Sequence, residues 1–284
     1  MDFLLKTNKG IESIITRFSD NNSNITLYPM VHFGIKEFYQ QISSQAKNHE
    51  IVLYEGLSIN PESENFYSSI LEYDLNGKNI SLNEIFFMTI SLYQSTVSRI
   101  FGLCEQSLEQ FDYIRLKNFH NADFCVDDAE EKSYESNNKN KSHVDIWYDK
   151  KNNKNFNKKI NNDKILKNYI GNLLYRIDLL TFMDRKRSKK SSQYMLEVYD
   201  SIINEALSDS KIIKKMVLSR QRELQLINML EVVLEKYTDI GIIYGAAHMD
   251  FFSKYLRKNG YYVSYKDDIV VIPNMPPRFS GKNG

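Results

Sequence analysis

The chain has 284 residues, 42% of them hydrophobic and 13% aromatic, enough for the core of one α/β unit that carries an insertion. Its 37 Lys and Arg against 36 Asp and Glu leave a formal charge of +1, which gives no electrostatic ground for nucleic acid or an anionic membrane as partner. No run of about 18 apolar residues is present to span a bilayer, and the opening MDFLLKTNKG lacks the apolar core of a signal peptide, so a cytoplasmic setting is expected.

In chain order, GIESIITRFSD places Ile11, Ile14, Ile15 and Phe18 at helical spacing and predicts an amphipathic helix. NITLYPMVHFG reads as a buried strand in which Pro29 predicts an edge position or a bulge. A helix over IKEFYQQISSQAKN and a strand over EIVLYEGL complete a βαβ unit, so the two strands should run parallel with their carboxyl ends on one edge. Residues 60–120 carry mainly helical periodicity, and LKNFHNADFCVDD predicts a short strand ending at Asp127 and Asp128.

From Glu130 to Asp163 the composition shifts to Asn, Lys, Ser and Asp, which predicts a flexible or extended insertion with Trp147 and Tyr148 as anchors. Helices are expected over ILKNYIGNLLYRIDLLTFM, SQYMLEVYDSIINEAL and KIIKKMVLSRQRELQLINMLEVVLEKY, with the basic cluster DRKRSKKSS at a helix terminus or loop. The chain then offers a strand through TDIGIIYGAAH, a helix through FFSKYLRKNG, strands at YYVSY and IVVIP, and a frayed tail PPRFSGKNG. The expected fold is α/β: one domain over 1–284 with a central mixed, mainly parallel β-sheet flanked by helices, and a large mainly helical insertion over 60–220.

Three of these strands end on ionisable residues: His32 beside Gly34, Glu55 beside Gly56, and His248 after Gly245 and two alanines. The carboxyl edge of such a sheet is where α/β folds place their sites. Two imidazoles and one carboxylate suffice to hold a divalent metal ion (Zn, Mn or Co) with one position left for water. A metal-free arrangement uses the same residues, with one histidine as general base, Glu55 fixing its tautomer, and the other histidine or an arginine stabilising an oxyanion. The bland reading of each histidine is a satisfied polar residue at the end of a core strand.

In LSRQRELQL, Arg220 and Arg222 point to different faces of a helix, so at most one of them is expected to turn inward, the other reading being a surface arginine paired with a nearby glutamate. Arg99 and Arg176 are weaker candidates of the same type. His49, between Asn48 and Glu50, reads as ordinary surface, and His120 and His143 lie in polar segments. Cys104 and Cys125 lack CxxC partners and basic neighbours, which points to reduced thiols.

The pieces MVHFG, YEGL, FGLCEQ, ADFCVDD, SRQREL and YGAAHM, taken in order, resemble the superfamily of TraB and PrgY pheromone-shutdown proteins, Tiki proteases, gumN-like proteins, erythromycin esterases and ChaN haem-binding proteins. The resemblance implies a sheet edge carrying His32, Glu55, His248 and Arg220. It implies divalent-metal peptide hydrolysis by analogy with the Tiki branch, limitation of a peptide signal with the TraB branch, or metal-free macrolactone hydrolysis with the erythromycin esterases. The chain departs from the pattern at Pro29, where relatives carry glycine, at Gln221, where they carry Asn or Asp after the arginine, and in its insertion.

Together these readings predict a metal-assisted hydrolase of a peptide or related amide or ester. His32, Glu55 and His248 would form its centre, Arg220 would stabilise substrate charge, and Asp127 would orient a histidine. The alternative is a non-enzymatic protein that sequesters a peptide or a haem through His32 or His248. A peptide or small-molecule partner is expected, and homo-oligomerisation is left open.

Overall fold

The structure, a computed structural model, describes residues 3–55, 82–106, 117–122, 162–186, 189–208 and 217–279. The expected strand end at Asp127, the thiol Cys125, His143, and Trp147 with Tyr148 lie outside the described residues. So does most of the expected insertion, 130–161. The chain divides into two compact units. The first comprises Met1–Gly56, Gln94–Asp123 and Asp178–Gly284; the second comprises Leu57–Tyr93 and Phe124–Ile177.

The first unit is α/β and is built on a seven-stranded mixed sheet. Its strands are β1 (Leu4–Lys6), β2 (Gly10–Ser19), β3 (Asn24–Met30), β5 (Ile51–Tyr54), β7 (Phe119–Asn121), β8 (Asp239–Gly245) and β9 (Tyr262–Pro273), and β4 (Phe33–Gly34) pairs with β6 (Cys104–Glu105) in a separate two-stranded ladder. Six α helices are described: α1 (Lys36–Ala46), α2 (Leu82–Phe101), α3 (Asn162–Lys186), α4 (Lys189–Ser208), α5 (Val217–Leu234) and α6 (Met249–Lys258). None of the described helices is long and apolar enough to cross a membrane.

One half of the sheet is antiparallel. Along one edge β2 pairs with β9 from Gly10 to Ser19; along the other it pairs with β1 at Ile11 to Ser13 and with β3 at Thr16 to Ser19. The other half is parallel, in the order β3, β8, β5, β7. Crossovers through α1 and α6 leave apolar stripes facing inward: Phe38, Tyr39, Ile42 and Ala46 on α1, and Met249, Phe252 and Leu256 on α6. Segment 94–123 belongs to this unit, so β6 and β7 join it from within the stretch expected to be a helical insertion.

Four sequence expectations change. GIESIITRFSD is a strand, not a helix. Nearly every residue of β2 is buried, so it has no polar face to reveal a period of two, and register shifts against β9 at Ile11/Glu12 and Arg17/Phe18 break the alternation further. Pro29 sits in an interior strand, between β2 and β8. It is tolerated there because the β2 ladder has already ended at Leu27, and Ser13 Oγ donates to the Pro29 carbonyl at 2.8 Å. YYVSY and IVVIP form one continuous strand, and the start of the tail is docked: Arg278 donates to the Ile100 carbonyl at 3.1 Å and pairs with Asp184 at 3.0 Å.

Candidate functional site

The parallel register aligns the site. Met30 lies opposite Gly245 and Ile243 opposite Tyr54, so β3, β8 and β5 finish together. His32 follows the first, Glu55 the third, and Gly245 begins the turn that delivers His248 through the 3-10 segment Ala246–His248. The expected convergence at the carboxyl edge is therefore the observed topology.

His32 is held through its backbone. Its carbonyl accepts the Gln106 amide at 2.8 Å, and the β4–β6 ladder follows immediately. Tyr39 Oη donates to the Val31 carbonyl at 3.1 Å, and the Ile35 amide donates to Val271 at 2.8 Å. The FGLCEQ motif thus clamps the loop that carries the histidine. The imidazole itself keeps contact with solvent. Desolvation is the largest influence on it and lowers its pKa below the ordinary 6.5; Arg222 and His248 add to the lowering and Glu55 opposes it. Because the ring reaches solvent, that desolvation is partial.

Glu55 is the centre of the arrangement. Its amide donates to the Ile243 carbonyl at 2.8 Å, which locks it to β8. Oε1 accepts Arg222 Nη2 at 2.5 Å, Oε2 accepts the Gly245 amide, and both partners of the ion pair are about 15% exposed. Burial alone would raise the Glu55 pKa. The Arg222 guanidinium, then His248, His32 and the Gly245 amide, outweigh it and hold the carboxyl below its usual 4.5.

His248 is buried, and its Nδ1–H donates to Glu223 Oε1 at 3.0 Å. That contact assigns the ring proton to Nδ1 and leaves Nε2 as the acceptor in the neutral form. Tyr244 packs edge-on against the His248 ring, with centroids 5.2 Å apart, and the Arg222 guanidinium lies 5.6 Å from the Tyr244 centroid. Arg222 and Glu223 are adjacent on α5, so a single turn of helix serves both Glu55 and His248.

Arg220, the arginine expected at the site, lies on α5, but its side chain is outside the described ones; the ion pair with Glu55 is made by Arg222. Glu55 does not orient a histidine ring through a hydrogen bond: Glu223 does that for His248. His120 is exposed on the neighbouring strand β7, opposite Leu53, and Cys104 is a free, half-buried thiol.

The residues expected to hold a metal were His32, Glu55 and His248. They are electrostatic neighbours, yet no three His, Cys, Asp or Glu side chains among the described residues are grouped to hold a metal ion. Glu55 already commits one oxygen to Arg222 and the other to Gly245, and His248 commits Nδ1 to Glu223. As placed, these donors do not form a ligand shell.

Gly245 makes the Glu55 contact possible. A Cβ there would stand 2.9 Å from Glu55 Oε2 and 3.5 Å from His248 Cδ2. Gly245→Ala is expected to push the carboxylate off the Gly245 amide and to cost about 1–3 kcal/mol in urea unfolding. An unchanged unfolding midpoint would show that the contact is slack.

Comparison of the chain with family models, curated proteins and solved structures finds no match in any of the three.

Proposed function

We propose that this edge hydrolyses an ester or amide of a peptide or small molecule by general base catalysis, and that the chain is a divergent relative of the TraB, Tiki and erythromycin esterase group. The observation that carries the reading is the pairing of one solvent-reaching histidine, His32, with a buried Glu55–Arg222 ion pair and a second histidine whose tautomer is fixed by Glu223. The resemblance gains support from Arg222. Read at that position, the residue after the arginine is the acidic Glu223, chemically nearer than Gln221 to the Asn or Asp of relatives, though still a departure from that pattern.

In this mechanism neutral His32 takes a proton from water as the water oxygen bonds to the substrate carbonyl carbon. Charge develops on the carbonyl oxygen, and the Arg222 guanidinium stabilises it electrostatically while Glu55 keeps that guanidinium in place. When the tetrahedral species collapses, the carbon–oxygen or carbon–nitrogen bond breaks and His32 returns its proton to the leaving alcohol or amine. His248, held by Glu223 and Tyr244, shapes the field behind this chemistry. A cytoplasmic setting belongs to the same proposal and is supported by the free Cys104.

A panel of neutral peptide, amide and ester substrates, assayed with and without EDTA and accompanied by elemental analysis, tests the reading. Turnover that persists in EDTA is expected. Loss of turnover in EDTA with recovery on adding zinc, manganese or cobalt would restore the metal-assisted version. No turnover of any substrate, together with tight binding of a peptide or of haem, would replace hydrolysis with sequestration.

A further inference from the structure

At the opposite, amino edge of the same strands lies a buried polar cluster that the proposed chemistry does not use. His49, which the sequence places in a surface-like Asn-His-Glu turn, is buried beneath the sheet. Its Nε2 lies 2.8 Å from Tyr28 Oη on β3, and its Nδ1 lies 3.0 Å from Asp239 Oδ2 at the start of β8. Arg17 of β2 closes the group through a 2.6 Å contact with Asp239 Oδ1. The ring occupies the space over Gly241: a Cβ there would stand 2.8 Å from His49 Cδ2. Around it, Glu50 accepts the Thr238 and Asp239 amides at 2.6 and 3.0 Å, and Asn118, just before β7, donates to the His49 carbonyl at 2.8 Å.

We propose that His49 is an acid-sensitive clamp that, as the neutral ring, ties together the three strands that carry His32, Glu55 and His248. The neutral ring with its proton on Nδ1 faces the Asp239 carboxylate as an electrostatic neighbour, without hydrogen-bond alignment, and its bare Nε2 accepts the Tyr28 hydroxyl. Adding a proton to Nε2 forces Tyr28 Oη to become the acceptor. The phenol proton must then find another acceptor in a buried site, where an unpaired polar group is costly.

The groups facing the ring are Tyr28 from β3, Asp239 from β8 and Arg17 from β2. Asp239 favours the charged ring, while Arg17 and burial disfavour it, burial most strongly, and the net direction is a lowered pKa. A histidine whose folded pKa is lowered contributes stability that is complete above its unfolded value of about 6.5 and is lost as pH falls below that value. Acid therefore loosens β3, β5 and β8 at one end while their other ends carry the site. The clamp is independent of what that site does.

The test is urea unfolding of the whole chain between pH 7.5 and 5, for wild type and for His49→Gln, with hydrogen exchange of the wild type corrected for intrinsic rates. The midpoint is expected to fall with acid in the wild type and to fall distinctly less in the variant. The amides of β3, β5 and β8 should lose protection together between pH 7 and 5.5. Equal acid slopes in the two proteins would overturn the proposal. Should His49→Gln fail to fold, nitrogen NMR of the wild-type His49 ring decides: a proton on Nδ1 and a titration below 6.5 are expected, and a proton on Nε2 or a titration at or above 6.5 overturns it.

Discussion

Replacing Arg222 by Met is expected to destabilise the protein by about 3–5 kcal/mol at pH 7.5, the cost of leaving a buried carboxylate without its cation. The two sides of the ion pair are similarly shielded, at 14% and 15% exposed, so solvent offers the carboxylate only partial compensation for the missing guanidinium. The Gly245 amide would remain on Oε2, but one neutral donor does not offset the loss of a full charge.

The Glu55 contribution to the pH dependence should also change sign. In the wild type the Glu55 pKa is lowered, so its contribution is present above the ordinary carboxylate value of 4.5 and is lost as pH falls through the folded value. With Arg222 gone, burial dominates and raises the Glu55 pKa. The gap in stability between the variant and the wild type should then narrow as pH falls from 7.5 toward 5, because the variant's folded state holds the Glu55 proton more tightly. Adding Glu55→Gln to Arg222→Met should restore part of the loss at pH 7.5 by removing the stranded charge. Urea unfolding of both variants at two pH values tests this, and a loss below about 1 kcal/mol in the single variant would show that the pair behaves like a solvated surface bridge.

The same ion pair shows why parts of the site were legible and others were not. Strand ends announce themselves: an apolar run that stops on His32, Glu55 or His248 beside small residues already implies a common edge once the strands are taken as parallel. Helix α5 offers no such signal for choosing between its arginines. Its buried face runs through Glu223, Leu226, Ile227 and Leu230, and Arg222 borders that face in line with Leu226; in the sequence, Arg220 stands three and seven positions before Glu223 and Ile227, so helical spacing alone favours neither arginine. What the pattern did contain was Glu223 itself. A carboxylate on an apolar stripe needs a buried partner, and that need pointed to a histidine or an arginine.

β2 and His49 were hidden for related reasons. A strand buried on both faces and broken by bulges loses the period of two, and isoleucines at positions 11, 14 and 15 then imitate a helix. His49 looked solvated because its neighbours in sequence are Asn48 and Glu50. Its burial is caused by Gly241, some two hundred positions away, whose missing side chain leaves room for the ring under β8. Such long-range complementarity cannot be read from a local window.

His32→Gln is expected to reduce kcat/KM on a neutral ester or amide substrate by about 10²–10⁴, the span that a positioned general base contributes. The substitution falls on a solvent-reaching side chain whose loop is held by backbone contacts to Gln106, so the fold should stay intact and the urea midpoint nearly unchanged. The wild-type rate should fall as pH drops through the lowered His32 pKa, below 6.5, because only the neutral ring accepts the proton from water, and it should level off at neutral pH. This acid limb separates the base from its surroundings. If His248 were the base instead, His248→Gln would remove the limb while His32→Gln kept it, and the roles of the exposed and the buried histidine would have to be exchanged.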